Sequence, residues 1–254
     1  MTSAVTPDSD RSLRELVEKL RAAFATDLVS VVLYGSAAAG DYHRYYSDFN
    51  VLCVLTQITP KQLHASEPVI RWWREKGNPS PLMLTVEEVR NSTDCFPVEF
   101  HDILEHHKIL YGEEVTAGMQ IGDVFYRAQV EHDLRSKLLR LRQKASGILS
   151  DKDTLRRLLV DSVGTFCVLT RHLLILLNGG VKENVPVRKR DVMELAQLRL
   201  GIDSRPFLTL LDLREERVKD KAVDPEGLLA LYMQEIEKLI GATDALHNEK
   251  EATR

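Results

Sequence analysis

The chain is short of cysteine, has no surplus of positive charge and contains no long apolar run, and each shortage removes a class of explanation. Its three cysteines, Cys53, Cys95 and Cys167, are odd in number, widely separated and set in apolar surroundings. That argues against a disulfide framework or a zinc cluster and predicts buried thiols. The formal net charge is −4 over 254 residues, so the whole-molecule field does not draw in nucleic acid and any polyanion contact must be local. Unbroken apolar stretches such as Leu173 to Leu177 fall far short of the roughly 20 residues a bilayer span requires. The N-terminal stretch MTSAVTPDSDRSLREL has no basic segment followed by an apolar run, so no membrane partner and a cytoplasmic location are the expectations. Internal repeats are absent, and low complexity is confined to the polar ends, where His247 to Arg254 is expected to fray.

What is present divides into two halves. With 44% hydrophobic and 28% charged residues, the composition is that of a globular chain, here read as two domains. In the first half, Leu13, Leu16, Val17, Leu20 and Phe24 fall at helical spacing, and Leu28 to Leu33 is a Val-rich run consistent with a buried strand. A second strand is predicted at Val51 to Leu55, a helix from Thr59-Pro60 that Pro68 should kink or restart, and a third strand at Pro81 to Leu84. Thr85 to Glu88 fits a capping box that opens a short helix. A fourth strand is expected at Phe96 to Ile103, with Ile109 to Gly112 closing the β-containing half and Gly112 to Gly122 serving as linker or edge. Beyond it lie long amphipathic segments around Val124 to Leu141 and Leu155 to Leu177, and three further helices near Val192 to Leu200, Pro206 to Val218 and Pro225 to Ile240. The expected fold class is therefore α+β, with a mixed-sheet domain over 1–118 and an all-α helical bundle over 119–254.

The segment Leu33 to Leu55 carries most of the functional information. It reads as a strand running into Gly35-Ser36, a polar loop, and a second strand that opens with Asp48 and Asn50. A Gly-Ser pair at a strand end leaves backbone N–H groups free to approach phosphate oxygens, and a nearby carboxylate can hold a divalent cation against them. Asp48 and Asn50 are expected on one face of the strand. This spacing resembles the signature of the nucleotidyltransferase superfamily related to DNA polymerase β, in particular small bacterial nucleotidyltransferases and aminoglycoside adenylyltransferases, where such a domain precedes a helical one. The resemblance covers roughly Val29 to Gly112. It implies that Gly35, Ser36 and Ser47 contact the nucleotide and that Asp48 is the first metal ligand. Asn50 stands where the family has its second carboxylate, lining both the nucleotide and the metal. Glu99 matches the third acid, as metal ligand or catalytic base alongside Asp48, with Asp102 as a substitute. The implied cofactor is Mg²⁺ and the implied substrate is ATP or another nucleoside triphosphate, with nucleoside monophosphate passed to a hydroxyl acceptor.

Physical chemistry shows where Asn50 matters. Attack on an α-phosphorus develops charge on phosphoryl oxygens, which divalent metals and fixed N–H donors stabilise. An Asn offers one neutral carbonyl oxygen, adequate in a mixed shell and poorer than a carboxylate at bridging two cations. A catalytically silent nucleotide-binding relative is therefore the alternative reading. Each residue also has a plainer role available: Gly35 as a turn glycine, Ser36 as a helix cap, Asp48 as a turn cap, Glu99 as the solvent-facing member of an alternating strand. His101, His106 and His107 match no zinc spacing, and Trp72 or Trp73 is more simply core than a stacking platform. Arg188-Lys189-Arg190 is read as a basic loop that could meet a phosphate or an RNA acceptor. The bundle is expected to cover the nucleotide cleft and help choose the acceptor, and its apolar helix faces make a homodimer plausible.

Overall fold

The structure, a computed structural model, describes residues 7–35, 37–38, 49–119, 121, 123–180, 184–218 and 223–252. It divides into two compact units, Met1–Gly122 and Asp123–Arg254.

The first unit is a four-stranded sheet with helices on both faces. Helix α1 (Pro7–Phe24) leads through a short 3-10 turn into strand β1 (Leu28–Tyr34). Strands β2 (Asn50–Leu55), β3 (Leu82–Thr85) and β4 (His107–Gly112) complete the sheet in the order β3-β2-β1-β4. β1 pairs antiparallel with β2 and β4, whereas β2 pairs parallel with β3, so the sheet is mixed as expected. A parallel pair needs a crossover, and α2 (Pro60–Glu75) supplies it.

Alternation along the strands sorts the core into two layers. Val31, Leu33, Val51, Cys53 and Leu55 face α1 and α2, meeting Leu16, Leu20, Phe24 and the fully buried Trp73. Val32, Leu52 and Val54 face the other way, onto Val89 of α3 (Val86–Asn91) and onto Phe100 and Ile103 of α4 (Pro97–Glu105). Thr59 caps α2, with Gln62 accepting from the Thr59 N–H at 3.1 Å, and Thr85 and Glu88 form the expected capping box on α3. Pro68 neither kinks α2 into two elements nor restarts it, since the helix is continuous from Pro60 to Glu75.

Several sequence expectations are corrected. Phe96 to Ile103 is not a strand: it is helix α4, and the fourth strand is the following His107–Gly112. Gly112 to Gly122 is not a bare linker, because Val115, Met119 and Ile121 pack against the α3/α4 side of the sheet. Ser30 pins its start, donating from its buried hydroxyl to the Glu113 carbonyl at 2.7 Å. Gly112 permits this close approach, since a Cβ there would lie 1.9 Å from the Val29 carbonyl oxygen. Of the three thiols only Cys53 and Cys167 are buried, each pushed up to about 12 by burial, while Cys95 is exposed.

The second unit consists, among the described residues, of α5 (Asp123–Ser146), α6 (Lys152–Leu177), α7 (Lys189–Leu200), α8 (Arg205–Arg214) and α9 (Pro225–Ala252). Tyr126, Val130, Leu134, Leu138 and Leu141 recur every third or fourth residue on α5, making a buried stripe that packs against α6 and α9. Tyr232 of α9 sits edge-on to Phe166 of α6, with ring centroids 5.6 Å apart, and to Phe207 of α8 at 5.0 Å. Helix α9 does not stop near Ile240 but continues to Ala252. Among the described residues one helix, α6, is long and apolar enough by length and composition to cross a membrane, although no unbroken apolar run in the sequence suggested it; 61% of its most apolar window is buried. Arg188, Lys189 and Arg190 are not a loop, since they cap and open α7, and Arg190 clamps Asp212 at 2.6 Å and Glu215 at 2.8 Å.

Candidate functional site

The site is built from the ends of three strands and one helix. β1 finishes at Tyr34, and the chain turns at once through Gly35, whose φ of +76° lies in the region that glycine enters without steric cost. The Gly35 N–H donates to the His106 carbonyl at 3.0 Å, and the Ala38 N–H donates to the Gly35 carbonyl at 2.9 Å. Ala37 then plugs into the α1/α2 core at 2% exposure, anchoring the corner. Ser36, Ser47 and Asp48, three of the residues expected to hold phosphate and cation, lie outside the described residues. So does the expectation that Asp48 shares a face with Asn50.

Asn50 is described, and it meets the corner. It pairs with Tyr34 across β1 and β2, and a Cβ on Gly35 would lie 3.2 Å from its Nδ2. Tyr34 also pairs with His107 on the other side, so Asn50, Tyr34 and His107 form a row across β2, β1 and β4. Cross-strand partners project to the same face, and Tyr34 packs with the α3/α4 layer. The row therefore opens toward α4.

Helix α4 brings two acids to that face. Glu99 and Asp102 are three residues apart, which on a helix places them on one side. Both bear on Tyr34, whose hydroxyl is pushed up to about 12, first by burial and then by the carboxylates of Glu99 and Asp102. The strand expected at Phe96 to Ile103 would have set Asp102 on the face opposite Glu99; the helical period of 3.6 replaces the strand period of 2 and reunites them. The missed signal was Pro97, at the first helical position, followed by an acid in the first turn.

Sequence reasoning also passed over a cluster beside the row. Glu114 Oε2 lies 3.2 Å from His107 Nε2, and Thr116 Oγ1 lies 3.3 Å from the same nitrogen. The Thr116 hydroxyl also donates to Glu114 Oε1, and its N–H does so at 3.1 Å. These contacts hold the Glu114 carboxyl below its usual range, the Thr116 hydroxyl most of all and the His107 ring after it. Glu114 and Thr116 fall in the stretch read as linker, where no sequence periodicity marks them. Trp73 is core, packed with its ring centroid 6.0 Å from that of Phe49, and Trp72 has Lys19 and Lys76 each 5.0 Å from its ring.

Among the described residues no group of three His, Cys, Asp or Glu converges to hold a metal ion. The described part of the site offers one amide oxygen from Asn50 and the two α4 carboxylates. That is a poor permanent cage, but it is compatible with Mg²⁺ arriving on a triphosphate, which is held by one or two carboxylates together with phosphate oxygens and water.

No protein-family model matches the chain, and no curated protein matches its sequence. Solved structures do resemble it. The spectinomycin adenyltransferase AAD(9) from Enterococcus faecialis, crystallised with ATP and spectinomycin, superposes with a TM-score of 0.61 at 11% identity, over 92% of this chain and 99% of that one. A toxin–antitoxin structure with AMP-PNP is similar at 16% identity over 54% of this chain and 96% of its own, with a TM-score of 0.29. At 11% identity the first likeness concerns the fold alone.

Proposed function

We propose that the protein is a nucleotidyltransferase that moves a nucleoside monophosphate, AMP from ATP in the first instance, onto a hydroxyl acceptor with the help of Mg²⁺. One observation carries this reading: the Gly35 corner and Asn50 are in contact at the strand ends, and the acids of α4 bear on Tyr34, which precedes Gly35 and pairs with Asn50. The fold shared with an adenyltransferase solved with ATP supports it. In this reading Gly35, Ser36 and Ser47 receive the phosphates, while Asp48, Asn50 and Glu99 supply the oxygens for the cation. The cation neutralises charge that builds on the phosphoryl oxygens. Gly35 offers a corner without a side chain, so polyphosphate can approach the backbone closely. Asn50 contributes a fixed dipole rather than a charge, which lowers the repulsion a second carboxylate would present to the triphosphate.

A second reading is favoured by the same Asn50. With a neutral amide in the second carboxylate's place, the protein binds nucleotide without transferring it. Calorimetry with ATP and Mg²⁺ on the wild type and on Asp48→Ala tests the binding half, and equal heats from the two proteins would remove Asp48 from the site. Incubation with labelled ATP and a panel of hydroxyl acceptors tests transfer; bound nucleotide with no labelled product would establish the second reading.

A further inference from the structure

Strand β4 closes one side of the sheet, and among the described residues no strand lies beyond it. The Gly35 N–H donates to the His106 carbonyl at 3.0 Å, and from there the register runs Tyr34 to His107, Leu33 to Lys108 and Val32 to Ile109. Opposed residues of an antiparallel pair alternate between bonded and non-bonded. Lys108 therefore bonds to β1, while His107 and Ile109 turn their N–H and C=O groups outward. Among the described residues no other backbone reaches those outward groups.

Beside this edge runs a groove of about 570 Å³ between β4 and α1. Its floor is apolar, built from the buried Leu13 and Val17 of α1 with Leu110 of β4, and its rim carries Arg14, Arg21 and Lys108. Arg21 lies over the Tyr111 ring, 5.0 Å from its centroid. Helix α1 turns back into β1 and β4 runs against β1, so α1 and β4 share a direction. Arg14 is seven helical residues before Arg21, about 10.5 Å, and Lys108 is three strand residues before Tyr111, about 10 Å. Arg14 thus comes level with Lys108. The charge of Arg21 is met by Glu18 at 3.0 Å. Arg14 donates only to the Asp10 carbonyl oxygen, at 3.2 Å, and Lys108 has no ion pair among the described residues. Against these two cations the groove sets one unpaired acid, Asp10, a helical turn before Arg14.

We propose that this edge accepts an extended acidic segment of a partner protein as an added strand. His107 and Ile109 supply the main-chain hydrogen bonds, an apolar side chain of the segment rests on Leu13 and Val17, and a carboxylate two positions away meets Lys108 and Arg14. Affinity in such strand addition comes from the main chain and specificity from the pockets that receive alternate side chains. The length fits: the α1 flank from Asp10 to Arg21 spans roughly 16 Å, about five extended residues. A second copy of the chain is the poorer occupant, since it brings the same cations to the groove. An edge lysine beside a bulge is also a device by which sheets resist pairing with their own kind, and Leu110 is the extra residue of a bulge between Ile109 and Tyr111. This role is independent of the nucleotide chemistry proposed above.

The test uses the full chain and two fluorescein-labelled peptides, Thr-Glu-Thr-Leu-Thr-Glu-Thr and its counterpart with lysine in place of glutamate. Anisotropy should show saturable binding of the acidic peptide and at least roughly tenfold weaker binding of the basic one. Lys108→Glu and Arg14→Glu should each weaken the acidic peptide by at least about tenfold, because each sets like charges together. Proline is tolerated on an edge strand only where the lost N–H faces outward, so Ile109→Pro should keep the unfolding midpoint near that of the wild type and abolish peptide binding. Calorimetric ATP binding should be the same in all three variants and the wild type. No binding of the acidic peptide at millimolar concentration overturns the proposal, as does equal binding of the two peptides. Unfolding of the first unit by Ile109→Pro overturns it by placing that N–H inside the sheet. A peptide-free wild type that dimerises in sedimentation, with the dimer lost in Ile109→Pro, overturns it in favour of a second copy.

Discussion

The side-chain amide of Asn50 lies against Gly35, 3.2 Å from the point where any other residue would place its Cβ. Glycine is favoured twice at this position, by its φ of +76° and by the room it leaves to the Asn50 side chain. Gly35→Ala should cost about 1–2 kcal/mol from the left-handed backbone alone. It should also displace Asn50, weakening ATP binding. Urea unfolding and calorimetry measure the two effects, and an alanine variant with unchanged denaturation midpoint and affinity would refute the contact.

Tyr34 predicts a pH dependence. Its hydroxyl is raised from 10.0 to about 12 by burial and by Glu99 and Asp102. A group whose folded pKa is raised contributes stability that is fully present below the unfolded value and is lost as pH climbs through the folded one. The window therefore runs from pH 10 to about 12, and the loss is about 2 kcal/mol. Wild type and Tyr34→Phe should converge or cross in stability across this window, because the phenylalanine variant lacks the titration. Parallel denaturation curves at both ends of the window would show that Tyr34 does not titrate there.

Asn50→Asp puts a carboxylate at the start of β2 beside the Gly35 corner. The new carboxylate repels bare triphosphate and attracts Mg²⁺, so ATP affinity should fall in EDTA and rise with Mg²⁺, by roughly tenfold between the two if one metal contact worth about 1.4 kcal/mol is gained. Calorimetry in the two buffers measures it. A variant whose ATP binding is indifferent to Mg²⁺ would place residue 50 away from the cation.

Trp73 supports the strand that opens the site. It is fully buried, packs on Phe49 immediately before Asn50, and its indole N–H has no hydrogen-bond partner among the described residues. Trp73→Ala should destabilise the first unit by about 3–5 kcal/mol through the cavity it leaves. Trp73→Phe, which also removes an unsatisfied donor, should cost much less. Thermal or urea unfolding of the two variants gives the ranking, and equal losses would contradict it.

Much of this architecture was legible in the chain because local chemistry and tertiary packing agree. Leu13 through Phe24 repeat at helical spacing and form α1, and the Thr59 and Thr85 caps open α2 and α3 as their side chains suggest. The failure at Phe96 to Ile103 has a physical cause. Val98, Phe100 and Ile103 are all buried, and an apolar pair two apart imitates a strand over so short a span. Burial of Pro97 and His101 beside them shows a helix lodged in a corner, covered on more than one side. The Gly35 and Asn50 positions were legible from their order at the strand ends. The cluster of His107, Glu114 and Thr116 was not, because it depends on the chain doubling back after β4 against the sheet, held by the Ser30 hydroxyl from 83 positions away.

The hydrogen bond from Gly35 to His106 makes one peptide of the turn after β1 and one peptide at the exit of α4 a single mechanical joint. A tilt of α4 that carried Glu99 and Asp102 toward a bulkier acceptor would drag the turn with it. If the proposed transfer is what the site performs, acceptor size and triphosphate grip are geared together, and mutations that broaden one are expected to loosen the other.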